Sequence, residues 1–209
     1  MHRKTENSAT KAHRGPNWFT ARRLGLLCLV LFVSGMLQSA RAQSTADEYQ
    51  VKAAVLYHFM QLVAWPSGAV SGSDPSIVFC VFDDEPRRLD LESTLNGKVI
   101  GTRVVQVRLI NQPANLPGCN VVFLSRDESR RQTATLNSLR GLPVLTVGET
   151  DGFCAGGGMI RLRIDQDKIR FDINLAAAES SHIQISSRLL LLATTVTRPG
   201  VGDGRRMSP

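Results

Sequence analysis

The sequence predicts an α/β layered sandwich: a mixed, mostly parallel central sheet flanked by helices and completed by a C-terminal hairpin and helix. Three observations carry that prediction. The runs Ile77–Phe82 and Asn120–Leu124 are apolar at almost every position, the look of strands buried on both faces. Strand-like and helix-like patterns alternate between residues 77 and 147, as parallel pairing through crossover connections requires. Ahead of them, Glu48–Pro66 reads as a helix that is apolar around most of its circumference. A surface helix shows the reverse proportion, so this one is expected to be covered on several sides.

That helix opens on a capping-box pattern, Thr45 with Glu48. It is expected to stop at Trp65, because Pro66 biases the residue before it away from the helical region. At about 100° per residue, Asp47, Gln50, Ala54, His58, Gln61 and Trp65 share one narrow stripe. Apolar side chains cover most of the remainder, interrupted mainly by Lys52. Ser67–Ser76 is a Gly/Ser-rich linker, and Ile77–Phe82 follows as a central strand. Asp83-Asp84-Glu85-Pro86 breaks that strand and reads as a solvated turn, since a hard-cation site draws on alternating ligands or a cage. Leu89–Leu95 is a short helix stopped by Asn96-Gly97. Arg103–Ile110 alternates around Val105, Val107 and Leu109, a strand with one polar face. Asn111–Gly118 holds two prolines and is loop.

Asn120–Leu124 is the next apolar strand, and Ser125 with Glu128 forms a second capping box opening a helix to about Arg140. Gly141 and Pro143 end it, and Val144–Val147 is a third apolar strand. Gly152–Gly158 is loop, and Met159–Ile164 and Lys168–Leu175 form a hairpin around Asp165-Gln166-Asp167. Ala176–Ser181 is one helical turn, and Ser187–Val196 a final helix with Ser186 or Ser187 near its cap. Residues 199–209 are polar and expected to be a disordered tail.

The 209 residues carry a formal net charge of +7, which by itself would point to nucleic acid or an anionic membrane. The charge is unevenly placed. Residues 1–42 hold seven basic side chains against one acidic, which leaves 18 basic and 17 acidic for the rest. The basic segment reads as a secretory signal peptide: a positive n-region ending at Arg22-Arg23, an apolar stretch Leu24–Leu37, and Ala40-Arg41-Ala42 before the cleavage point at Gln43. An uncleaved anchor is the rival reading. The expected organisation is a leader over 1–42, one periplasmic domain over 43–198 and a tail. The mature chain then has no electrostatic case for nucleic acid.

Cleavage leaves Cys80, Cys119 and Cys154. Spacing alone does not choose among three single bridges. Cys80 lies inside one predicted strand and Cys119 just before another, so adjacent parallel strands would bring them together, and an oxidising compartment would close the pair. Three buried free thiols are the alternative. Cys154 has no adjacent histidine or helix N-terminus that would lower its pKa.

No catalytic set assembles. Ser125 follows a strand and precedes a helix, but the glycines of a nucleophile elbow are missing. His58 and His182 are the histidines of the mature chain and lack a third ligand, so no metal site is expected. Gly156-Gly157-Gly158 precedes a strand rather than a helix and reads as a tight turn, not a phosphate cradle. No cofactor is expected.

The patterns Tyr49…Val51-Lys52-Ala53-Ala54…Trp65-Pro66, Asn120–Glu128, Gly157–Ile160, Ile169–Leu175 and Ile185–Leu190, in this order, resemble the YfiR family over about Glu48–Val196. The resemblance implies a periplasmic α/β protein that dimerises and is held by disulfide. It implies a repressor that binds the periplasmic sensory domain of an inner-membrane diguanylate cyclase, or of another membrane sensor, and keeps cyclic-di-GMP low. An OmpA-like outer-membrane lipoprotein is the implied antagonist. Cys80 and Cys119 match one family bridge. Cys154 matches one half of a second, whose other position holds Arg161, so Cys154 stays free or pairs between chains. A partner or ligand surface is expected at Trp65, His58, Asp172, His182 and Arg188. The rival to a protein-binding regulator is a periplasmic small-ligand binder with its pocket near Trp65, His182 and Arg188.

Overall fold

The structure, a computed structural model, describes residues 48–70, 76–82, 88–166 and 168–198. The predicted leader, the Thr45 cap, the Asp83–Pro86 turn, Asp167 and the C-terminal tail lie outside the described residues. All described residues belong to one unit, Ala46–Pro209.

Helix α1 covers residues 48–61 and runs into β1 (Val63–Ala64). Then come β2 (Ser76–Phe82), α2 (Arg88–Leu95), β3 (Val99–Ile100), β4 (Arg103–Ile110) and β5 (Val121–Leu124). A 3-10 turn, Arg126–Glu128, leads into α3 (Ser129–Leu139), followed by β6 (Leu145–Gly148). The chain closes with β7 (Ile160–Asp165), β8 (Lys168–Asn174), α4 (Leu175–Ser180), β9 (Gln184–Ile185), α5 (Ser187–Leu192) and β10 (Thr195–Thr197). The main sheet has the order β10-β8-β7-β6-β5-β2-β4-β3, and β1 and β9 form a separate two-stranded ribbon. Parallel pairing joins β4, β2, β5, β6 and β7 in turn. The β7–β8 hairpin and the β3–β4 pair are antiparallel. The predicted architecture, a mostly parallel sheet between helices, is the one observed.

The central strands are apolar at consecutive positions because both faces are covered. Phe79, Val81, Val121, Phe123, Leu145 and Val147 join one core with Ala53, Leu56, Phe59 and Met60 of α1 and with Leu91 and Leu95 of α2. Phe59 meets Phe171 of β8 edge-on, with ring centroids 4.9 Å apart, a favoured aromatic arrangement. The alternate residues, Cys80, Phe82, Val122 and Leu124, face a second core with Leu136 and Leu139 of α3, Leu116 and Phe153. Phe153 is fully buried there between Gly148 and Gly158, and a Cβ on either glycine would collide with its ring. That close approach explains part of the glycine-rich stretch at 156–158.

Four expectations are corrected. Helix α1 ends at residue 61, not at Trp65: Leu62 N–H bonds back to the helix, and then Val63 pairs with Ile185 and Ala64 with Gln184. The backbone bonds of the distant β9 segment outweigh continued helix there. The final helix stops at Leu192, and Thr195–Thr197 instead adds β10 parallel to β8. Its β-branched residues suit a strand. Ser125 makes no cap bond, because the 3-10 turn displaces the start of α3 to Ser129. In β4 the alternation slips, leaving Leu109 exposed and Ile110 buried.

Lys52, which interrupts the apolar surface of α1, is buried. Its ammonium lies 2.5 Å from Glu149 and 2.6 Å from Glu48, and 4.2 Å from the Tyr49 ring centroid. The Lys52 and Glu149 side chains are 7% and 6% exposed. Glu149 follows β6 and also accepts from Arg126 N–H, so one buried carboxylate ties α1 to the ends of β5 and β6. Removing one partner of such a pair strands the other charge without water. Lys52→Ala is therefore expected to cost about 3–5 kcal/mol in urea unfolding. A loss below about 1 kcal/mol would show that the pair carries no such weight.

Candidate partner-binding surface and disulfide

Helix α5 is built by its cap: Ser186 Oγ accepts from Leu189 N–H, and Leu189 turns into the core. That phase leaves Leu191 and Leu192 outward, at 84% and 69% exposure. They border a shallow cleft with Arg188 of α5 and with His58, Gln61 and Leu62 from α1 and its end. His58 Nδ1 lies 3.1 Å from Gln61 Oε1. The structure thus joins two of the expected surface residues, His58 and Arg188, in one amphipathic patch. Two adjacent exposed leucines rimmed by polar side chains are the kind of surface that marks interaction sites.

Trp65 is half-buried against the first core, and its indole N–H donates to Asn120 O at 3.2 Å. His182 sits exposed in the turn after α4, with φ of 56°, a left-handed conformation that histidine visits more readily than most residues. Asp172 on β8 faces Arg161 and Arg163 of β7, at 3.6 and 3.7 Å. Arg161 also pairs with Asp151, and Arg163 with Asp165.

Cys80 and Cys119 form a disulfide, with Cα atoms 5.9 Å apart and a separation of 39 positions in sequence. Strands β2 and β5 run side by side with Cys80 opposite Val122, and Cys119 stands in the turn just ahead of β5, its N–H bonded to Leu116 O, from which its sulfur reaches Cys80. Arg108, in register with Cys80 on β4, donates to Cys119 Sγ at 3.0 Å and to Pro117 O at 2.8 Å. Beside the bridge lies a cavity of about 520 Å³ at the amino-terminal ends of β2, β5 and β6. Residues 113–120, the Leu139–Val144 turn, Val78 and Ala69-Val70 supply most of its walls, and no charged side chain lines it.

In open α/β sheets, chemistry favours the carboxyl ends of strands where the strand order reverses. Here that place lies between β2 and β5. Past β5, Glu149 accepts from the backbone and Glu128 is ion-paired to Arg131 at 3.0 Å. Among the described residues no cluster of His, Cys, Asp or Glu is placed to hold a metal ion. Likewise no helix among them is long and apolar enough to cross a membrane.

The YfiR/HmsC-like family model matches residues 49–194. The chain belongs to this family. Among solved structures, it is similar to a conserved domain protein from Vibrio cholerae O1 biovar eltor str. N16961, at 12% identity and a TM-score of 0.48. That match covers 71% of this chain and 60% of the other, so the chain spans under two thirds of that protein's length.

In this YfiR/HmsC-like chain, Cys154 is a free, half-buried thiol. Its sulfur lies 3.7 Å from Asp172 O and 4.0 Å from Met159 O. Arg161, at the position where the resemblance implied a second bridge, is engaged with carboxylates. Burial, and then the Asp172 charge, push the Cys154 thiol from 9.0 up to about 11. A lone lysine among apolar residues is the one local signal of the Lys52–Glu149 pair. No local signal marks the Arg108–Cys119 contact, which needs β4 beside β2 and the turn before β5 beside both.

A thiol held protonated is a poor nucleophile. Cys154 should react with iodoacetamide about a hundredfold more slowly at pH 7.5 than an unperturbed thiol of pKa 9, and its rate should climb until the pH passes about 11. Peptide-resolved alkylation measures this; a rate plateau at or below pH 9 would contradict it.

Proposed function

We propose that this protein is a periplasmic regulator of cyclic-di-GMP signalling. It binds the periplasmic sensory domain of an inner-membrane signalling protein, a diguanylate cyclase, and represses it. The observation that carries the reading is membership of the YfiR/HmsC-like family across residues 49–194. The predicted leader at 1–42 supports export. The mechanism needs no catalysis. A protein that prefers the inactive state of a sensor shifts the sensor's population toward it, by no more than its difference in affinity for the two states.

The contact surface in this reading is the patch of His58, Arg188, Leu191 and Leu192, where exposed leucines offer apolar area and Arg188 offers charge. The oxidation state of Cys80–Cys119 sets how firmly the domain holds its shape, and thereby its grip on the partner. An OmpA-like lipoprotein would compete for the repressor, and a second copy of the chain would pair with it.

The test is capture from detergent-solubilised membranes. The exported protein should retain an integral cyclase or sensor, and deletion of its gene should raise cyclic-di-GMP. Leu191→Glu should lower capture at least tenfold while shifting unfolding free energy by no more than about 0.5 kcal/mol. Recovery of no integral signalling protein would sink the reading. Undiminished capture by Leu191→Glu would move the surface elsewhere.

The cavity of about 520 Å³ favours a second reading, a small-ligand binder. Its uncharged lining fits a neutral apolar compound. A rise in melting temperature on adding such a compound, with no membrane protein captured, would favour it over the first.

A further inference from the structure

The Cys80–Cys119 bridge sits in apolar surroundings, packed among Phe82, Ile110, Leu116 and Val122. Its sulfurs are shut away: Cys80 is 0% exposed and Cys119 is 4%. One charge reaches it. Arg108 Nη2 donates to Cys119 Sγ at 3.0 Å and is aimed there by carbonyls, Pro117 O at 2.8 Å and Asn115 O at 3.4 Å. Arg108 Nε is buried and has no hydrogen-bond partner. No carboxylate among the described residues is ion-paired with this guanidinium. Among the described residues the neighbours in this core are neutral: Asn111–Gly118 carries no charge, and Val122 of β5 and Leu136 and Leu139 of α3 are apolar.

A disulfide sulfur is a weak acceptor, so the half-buried guanidinium gains little from it. A thiolate in the same place would gain much more, because a hydrogen bond between two charged groups is stronger than one to a neutral sulfur, and this sulfur is itself shut away from water. We propose that Arg108 is a redox-tuning residue. It stabilises the Cys119 thiolate that reduction creates, and so makes Cys80–Cys119 easier to reduce than a bridge in neutral surroundings. The reductant is a dithiol. One of its thiolates attacks one bridge sulfur, and the other bridge sulfur leaves with the electron pair. The dithiol's second thiolate then closes its own disulfide and releases the first sulfur. The protein gains two electrons, and the reductant becomes a disulfide. Cys80 takes up a proton, while Cys119 stays as thiolate beside the guanidinium. The effect is on the equilibrium, since a stabilised reduced form makes a disulfide a stronger oxidant. It holds whichever partner the protein binds.

The experiment equilibrates the purified mature protein with graded ratios of reduced and oxidised dithiothreitol. Acid quenching and peptide mass spectrometry then count Cys80 and Cys119 apart from Cys154. Arg108→Gln should lower the equilibrium constant for reduction about tenfold, a midpoint about 30 mV more negative. Arg108→Lys, which keeps the charge, should fall between the two. In the reduced native chain, alkylation of Cys119 should reach half its plateau rate at a lower pH than that of an unperturbed thiol, and Arg108→Gln should move that midpoint upward. A guanidinium that only braces the Asn111–Gly118 loop would keep the sulfurs close and favour the bridge. Removing it would then shift the midpoint the other way. A shift toward easier reduction in Arg108→Gln, no shift at all, or an unmoved Cys119 titration would each overturn the proposal.

Discussion

Two-sided burial of the central sheet is the constraint on which the rest depends. Residues along β2, β5 and β6 alternate between two cores, and neither set tolerates water. Each face therefore needs its own cover. Helix α1, with α2, closes one; α3, the Asn111–Gly118 loop and Phe153 close the other. At about 25 cal/mol per Å² of apolar surface, these layers supply the main favourable term, and side-chain bonds then set position. The Lys52–Glu149 pair fixes α1 at the carboxyl ends of the strands. The disulfide fixes the loop at their amino ends.

The arrangement separates structure from surface. The polar stripe of α1, Gln50, Ala54, His58 and Gln61, stays exposed because the opposite side is spent on the core. Helix α5 buries Leu189 and presents Leu191 and Leu192 beside that stripe. The fold thus combines a covered core with an exposed amphipathic patch, the two features that the proposed regulatory role would use. The disulfide lies on the other face of the sheet from α1. A change of its state would act through the sheet, in which β2 is shared by both cores.

The apolar runs at 77–82 and 121–124 were legible because a strand buried on both sides has no polar position to lose, and their length excludes a helix. The hairpin at 160–174 was legible for the opposite reason, since alternating residues announce one wet face. Thr195–Thr197 was not. Joined to Ser187–Leu192 it continues an apolar run, and only the vacant edge of β8 turns it into a strand. Val63–Ala64 was lost to the helix for the same kind of reason, because its partner lies more than a hundred residues later.

Of the surface residues, His58 could be placed outward from its stripe alone. Its meeting with Arg188 depended on where α5 docks. Local pattern thus determined the fold class and the cover demanded by α1, because periodicity and composition report burial directly. The tertiary structure alone decided that Lys52 is buried against Glu149 and that Arg108 meets Cys119. Ion pairs and sulfur contacts depend on register between strands and helices far apart in the chain, and nothing in the neighbouring residues encodes that register.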